Sequence, residues 1–133
     1  MGKYRVKVIV AAGAKGEVLK SDSPLSFLGG VDPMTGEVIE EGHPLRGRRV
    51  QGKILAIPHG RGSTVGSYVI YSLVSRGLAP VAILMKEMDM IVATGCVLGG
   101  VPLAIVRAGV WGQLRDGGLA KLDPSSSSLI VSE

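Results

Sequence analysis

Cysteine, aromatic residues and, over a long middle stretch, lysine are what this 133-residue chain has least of. Cys96 is its single cysteine, which excludes an internal disulfide and any CxxC metal site. Aromatics make up 4% of the chain, with one Phe and one Trp, so the core must be built from Val, Ile, Leu, Ala and Met. The same scarcity removes the stacking side chains that accompany basic patches in nucleic-acid binders, and no nucleic-acid partner is expected. The net charge of +4 owes much to Arg46, Arg48, Arg49 and Lys53. That cluster reads first as a solvated loop, and next as a contact for an anionic substrate or an acidic partner subunit. No lysine stands between Lys53 and Lys86, so the glycine-rich stretch between them lacks the Gly-Lys-Ser/Thr ending of a nucleoside-triphosphate loop. Met90 to Val106 contains no charge, yet it is shorter than the roughly 20 residues needed to cross a bilayer and holds glycines and Pro102. It is expected to be buried core, with no membrane involved. MGKYRVKVIV at the N-terminus lacks the apolar core and cleavage site of a secretion signal, so a cytoplasmic location is expected.

Glycine, by contrast, is abundant at 20 residues, which points to turns and close backbone approaches. Tyr4 to Ala11 alternates and then runs apolar, as a strand entering a core does. GEVLKS reads as a second strand after a turn over 13–16, and VDPMTGEVIE as a hairpin opened by Asp32-Pro33 and closed by Gly36. The nearly thirty residues around that hairpin show little periodicity, and loops of that length usually carry function or cover a partner surface. KILAI, PVAILM and VPLAIV are short buried strands. Between the first two, Val65, Tyr68, Val69, Ser72 and Leu73 recur at helical spacing, with Ser63 or Thr64 as N-cap and Gly77 past the end. Residues 89–98 form a short helix stopped by Gly99 and Gly100. The sum, over 1–133, is one α/β domain with a mixed sheet or partial barrel and a few short helices.

PHGRGSTVGS at 58–67 carries the chemistry, and three readings of it stand side by side. Gly60, Gly62 and Gly66 form GxGxxxG between a strand and a helix, a relaxed dinucleotide fingerprint, with Glu87 placed where a ribose would be held. Against it, the motif starts mid-chain, leaves too few residues for a doubly wound sheet, and sets Pro58 and His59 where a tight turn belongs. A plain helix cap would occupy Ser63 or Thr64 but leaves Arg61, the glycines and Ser67 unexplained. A catalytic or anion-holding serine accounts for more, because free N–H groups, the helix dipole and the Arg61 cation all favour negative charge there. The usual hydrolase triad is unsupported, since GxSxG is absent.

FLGGVDPMTGEV, GHPLRGRRVQGKILAIPHGRGSTVGSYV and PVAILMKEMDMIVATGCVLGGVPL, in that order, closely resemble the small subunit of the aconitase X family across essentially the whole chain. The resemblance implies a swivelling β/β/α domain that closes over a large subunit carrying a [4Fe-4S] cluster, in a heterodimer or higher heteromer. It implies a hydro-lyase, whose archaeal members dehydrate mevalonate 5-phosphate to trans-anhydromevalonate 5-phosphate in isoprenoid biosynthesis. Bacterial relatives include a dehydratase of cis-3-hydroxyproline. In that family Ser63 is the expected base. Arg61, Gly62 and Thr64 are candidates for holding the substrate carboxylate or the alkoxide, and Gly29, Gly30 and Asp32 for the substrate or subunit surface. A turn role for Asp32 is an equal alternative. A lone Cys96 cannot provide the three thiolates of such a cluster, so the cluster is expected on the other chain and Cys96 in the core. His43 and His59 are read as satisfied or exposed histidines. A non-catalytic regulatory subunit and a nucleotide-binding domain are the competing classes.

Overall fold

The computed structural model describes residues 2–132. The N-terminal stretch read as one strand is two, β1 (Gly2–Arg5) and β2 (Lys7–Val10), broken at Val6. The break has a clear purpose in the sheet. Val6 is buried, its N–H donates to Ser127 O at 2.9 Å, and the two halves pair at opposite ends of an eight-stranded sheet. The other strands are β3 (Ala14–Lys20), β4 (Ile54–Ala56), β5 (Ala82–Met85), β6 (Leu103–Ile105), β7 (Leu119–Asp123) and β8 (Ser128–Ser132), in the order β1-β8-β7-β3-β4-β5-β6-β2. Because β1 and β2 adjoin in sequence but lie at the two edges, the sheet curls into a nearly closed barrel, which leaves little free strand edge. β3 to β6 run parallel, and the remaining pairings are antiparallel.

The continuously apolar runs of β4 to β6 follow from burial on both faces. Ile54, Ala56, Ala82, Leu84 and Ala104 pack inward with Trp111, Leu122 and Leu129. Leu55, Ile83, Met85 and Leu103 point the other way, into a second core under the helices. The alanines on the inner side suit the narrow interior of a small barrel.

Two helices cover the outer core: α2 (Gly66–Ser75), linking β4 to β5, and α3 (Met90–Gly99), linking β5 to β6. Asp89 caps α3 by accepting the Ile91 and Val92 N–H groups at 3.0 Å, and Gly100 ends it at φ +73°. A one-turn α1 (Phe27–Gly30), interrupted by a tight turn at Leu28-Gly29, and α4 (Ala108–Trp111) complete the set. The Lys20 ammonium anchors the end of α4 through Trp111 O at 2.9 Å and Leu114 O at 2.8 Å.

The long segment between β3 and β4 is not a loose loop. Leu25, Phe27, Val31, Val38, Leu45 and Val50 all enter the outer core, so it is a packed layer despite its lack of periodicity. Asp32 and Gly36 close its hairpin as expected, with Gly36 N donating to Asp32 O at 2.7 Å and Gly36 at φ +74°. Of the basic cluster, Arg48 pairs with Asp116 at 2.6 Å and Lys53 with Glu17 at 2.6 Å.

Candidate functional site

The glycine-rich loop leaves the end of β4 and lies between the segment 25–30 and the start of α3. Leu25 bridges Gly60 in parallel register, and Arg61 N donates to Leu25 O at 3.2 Å. The glycines are explained by contact. A Cβ on Gly60 would sit 2.6 Å from Val92 Cγ2, and one on Gly62 would sit 2.7 Å from Ser26 Oγ. Gly62 is also at φ +98°, in the region that side chains avoid. Gly66 lies near the Leu28 backbone and Ile91. Close packing, rather than a dinucleotide pyrophosphate, accounts for all three.

Ser63 is exposed just before α2. Its Oγ accepts the Val65 N–H at 3.1 Å, and its carbonyl accepts Gly66 N at 2.9 Å. The expected N-cap at Ser63 or Thr64 is thus displaced: a tight turn over 63–66 precedes the helix, whose cap position is Val65. The N–H groups of Gly62, Ser63 and Thr64 find no acceptor among the described residues. Three unpaired donors beside the positive end of α2 favour an anionic oxygen at this point. Thr64 is exposed and its carbonyl accepts from Ser67 Oγ at 2.9 Å.

The Arg61 guanidinium is not a free cation, because it donates to Glu40 Oε2. The other carboxylate oxygen, Oε1, accepts Ser26 N–H at 2.8 Å. Glu40 is the residue that sequence reasoning missed: nothing in its surroundings distinguishes it from a surface glutamate in an aperiodic stretch. Gly30 belongs to the same knot, since a Cβ there would lie 2.9 Å from Glu40 Oε1 and its carbonyl accepts Ile39 N at 2.8 Å. Gly29 supplies the turn at φ +82°. Asp32 stands apart as a turn residue, accepting Met34 N–H on Oδ1 at 2.8 Å.

Both histidines are engaged. His43 is buried, accepts Leu45 N–H on Nδ1 at 3.0 Å and therefore donates from Nε2 to Pro24 O at 3.1 Å. It steadies the segment that leads into Leu25. His59 donates from Nδ1 to Gly60 O at 2.6 Å. Cys96 is fully buried in α3, and burial pushes its thiol up to about 12. No group of three or more His, Cys, Asp or Glu able to hold a metal occurs among the described residues. No helix among them is long and apolar enough to cross a membrane.

The barrel-like mixed sheet with two covering helices and a serine loop at the end of a parallel strand is the arrangement of an aconitase-type swivel domain. The Aconitase X swivel domain family matches residues 3–131, and the chain belongs to it. The phosphomevalonate dehydratase small subunit of Methanosarcina acetivorans is 45% identical over 124 residues, covering 92% of this chain and 86% of that protein. The subunit of the same name from Thermococcus gammatolerans is 52% identical over 101 residues, 76% of this chain and 77% of its own length. The crystal structure of Thermococcus kodakaraensis aconitase X in its holo form superposes with a TM-score of 0.93 at 43% identity, each chain covered at 100%.

Proposed function

We propose that the chain is the small subunit of a phosphomevalonate dehydratase, a carbon–oxygen hydro-lyase that works together with a large subunit. The observation that carries this reading is the Ser63 loop: an exposed hydroxyl that accepts the Val65 N–H, on a turn where the Gly62, Ser63 and Thr64 N–H groups have no acceptor among the described residues, in a chain whose relatives bear that name.

Dehydration of a β-hydroxy acid needs a base for the carbon-bound proton and an acid for the departing hydroxide. In the reading proposed here Ser63 Oγ takes the proton, and the Val65 N–H with the start of α2 stabilises the oxygen while it carries charge. Arg61, Gly62 and Thr64 line the approach to that oxygen and would meet the substrate carboxylate, with Glu40 holding Arg61 in place. Gly30 acts through the same knot, whereas Asp32 shapes the hairpin behind it.

An iron–sulfur cluster would supply the acid for hydroxide departure. The residues of this chain do not fit one: its single cysteine is buried with a raised pKa, and no metal-ligating group accompanies it among the described residues. The cluster is therefore assigned to the large subunit, and the cytoplasm is the proposed compartment.

The test is anaerobic reconstitution with the large subunit and cluster, following dehydration of mevalonate 5-phosphate. Ser63→Ala should lower kcat by about 10²–10⁴-fold, the usual contribution of a positioned base, with assembly unchanged. Unaltered turnover would leave Ser63 a turn-closing residue. Turnover of cis-3-hydroxyproline alone would move the substrate assignment.

A further inference from the structure

We infer that the common outer face of α2 and α3 is the surface on which the large subunit seats, an inference that rests on the two-subunit reading above. α2 reads GSYVIYSLVS and α3 MIVATGCVLG, twenty surface-helix residues without one charge. A helix packed on a core normally turns charged residues to water on its other side. Here most outer positions are apolar or aromatic instead, with the uncharged Ser75 and Thr94 among them: Tyr68 is 66% exposed, Met90 69% and Val97 64%. Tyr71 and Leu98 add to them, each about half exposed.

The two outer faces form one surface because the helices lie close together. A Cβ on Gly95 would meet Ile70 at 2.8 Å and the Ser67 carbonyl at 3.0 Å, and one on Gly99 would meet Val74 at 2.8 Å. Contiguous exposed apolar surface of this kind marks interaction sites.

The face is continuous with the candidate site, which decides the occupant. Ser63 stands at the start of α2, and Gly60 abuts Asp89 and Val92 at the start of α3. A partner that covers the starts of both helices also closes over Ser63. A second copy of this chain would cover the helices but bring no acid for the leaving hydroxide, since no metal-ligating group occurs among the described residues of either copy and the one cysteine of each is buried. The large subunit brings what this chain lacks.

The experiment measures binding of the full chain to cluster-loaded large subunit by calorimetry, with turnover assayed on the same samples. Tyr68→Glu and Val97→Glu should each weaken affinity at least about tenfold, as a charge at a desolvated interface does, with unchanged thermal melts. Leu119→Glu, at a position 54% exposed but on β7, should leave affinity unchanged. Undiminished affinity in both helix variants overturns the surface while wild-type turnover keeps the enzymatic reading. Wild-type association without turnover of mevalonate 5-phosphate overturns that reading, and the variants still judge the surface. No wild-type association overturns the surface. So does a free-chain dimer that both helix substitutions dissociate while binding to the large subunit is undisturbed, which would give the face to a second copy.

Discussion

Glu40 ties Arg61 to Ser26: one carboxylate oxygen accepts the guanidinium, and the other accepts the Ser26 N–H at 2.8 Å. The side chain of Glu40 is 13% exposed and that of Arg61 52%, so a nearly buried carboxylate aims a half-exposed cation. The pair joins two segments 21 residues apart in sequence, the aperiodic layer and the serine loop. Its main product is a fixed direction for Arg61, because an ion pair with one solvated partner adds little to stability.

Glu40→Gln should therefore separate function from folding. The amide still accepts one hydrogen bond but no longer fixes the cation. In the reconstituted enzyme kcat/KM should fall by about tenfold, equivalent to about 1.4 kcal/mol of transition-state binding, while the melting temperature moves by a few degrees at most. A large loss of stability with unchanged kcat/KM would make the pair purely structural.

Glycine substitutions can distinguish backbone strain from crowding. Gly47 at φ +90° has open space around its missing Cβ, whereas Gly62 at φ +98° has Ser26 Oγ 2.7 Å away. Gly47→Ala should cost about 1 kcal/mol, the ordinary penalty for a left-handed alanine. Gly62→Ala should cost more, about 2–3 kcal/mol, because Ser26 must also move. Urea unfolding of the two variants beside the wild type checks the difference, and equal losses would remove the packing role of Gly62.

Much of this architecture was legible in the order of residues. The short apolar runs became β4, β5 and β6, and the segment 89–98, stopped by Gly99 and Gly100, became α3. The inner face of α2 was legible only in part. Hydropathy put Val65, Tyr68 and Ser72 inside with Val69 and Leu73, but the buried set is Gly66, Ser67, Val69, Ile70 and Leu73. Close approach to α3 calls for small residues at the contact, and periodicity of hydrophobic residues does not register that need. The barrel closure at Val6 has no signature in the sequence, because an uninterrupted apolar run carries no mark of where its pairing partner changes. The Glu40–Arg61 contact was invisible for a related reason: it depends on how an aperiodic segment folds back, and no local pattern encodes that.

Asp116 links the aperiodic layer to the sheet and gives the fold an acid-sensitive contact. Partial burial pushes its carboxyl up. The hydrogen bonds from Arg48 at 2.6 Å and the Lys20 N–H at 3.0 Å, with the charges of Arg48 and Lys53, outweigh that and hold it below the usual carboxylate range. A carboxylate depressed in the folded state contributes stability that is complete above its unfolded value, about 3.9, and is lost as pH falls through the lower folded value. Asp116→Asn should be less stable than the wild type at neutral pH, and the gap should close as pH drops below about 4. Denaturant midpoints measured from pH 7 downward show whether the two curves converge. A gap independent of pH would assign the loss to packing.

Cys96 offers a reporter of global opening. It is fully buried in α3 against the outer core, and burial raises its thiol from 9.0 to about 12. The attacking species in alkylation and disulfide exchange is the thiolate, so both exposure and ionisation oppose reaction in the folded chain. A maleimide or aromatic disulfide reagent at neutral pH should label native protein only at the rate of unfolding, and unfolded protein at once. The sign of the shift adds a second expectation. A thiol raised in the folded state contributes stability that is complete below its unfolded value, 9.0, and is lost as pH climbs toward the folded one. Stability should therefore decline above that point, and Cys96→Ala should remove the part of the decline that belongs to this group. Rapid stoichiometric labelling of native protein at pH 7 would show that α3 opens locally, and the outer core would then have to be looser than its packing implies.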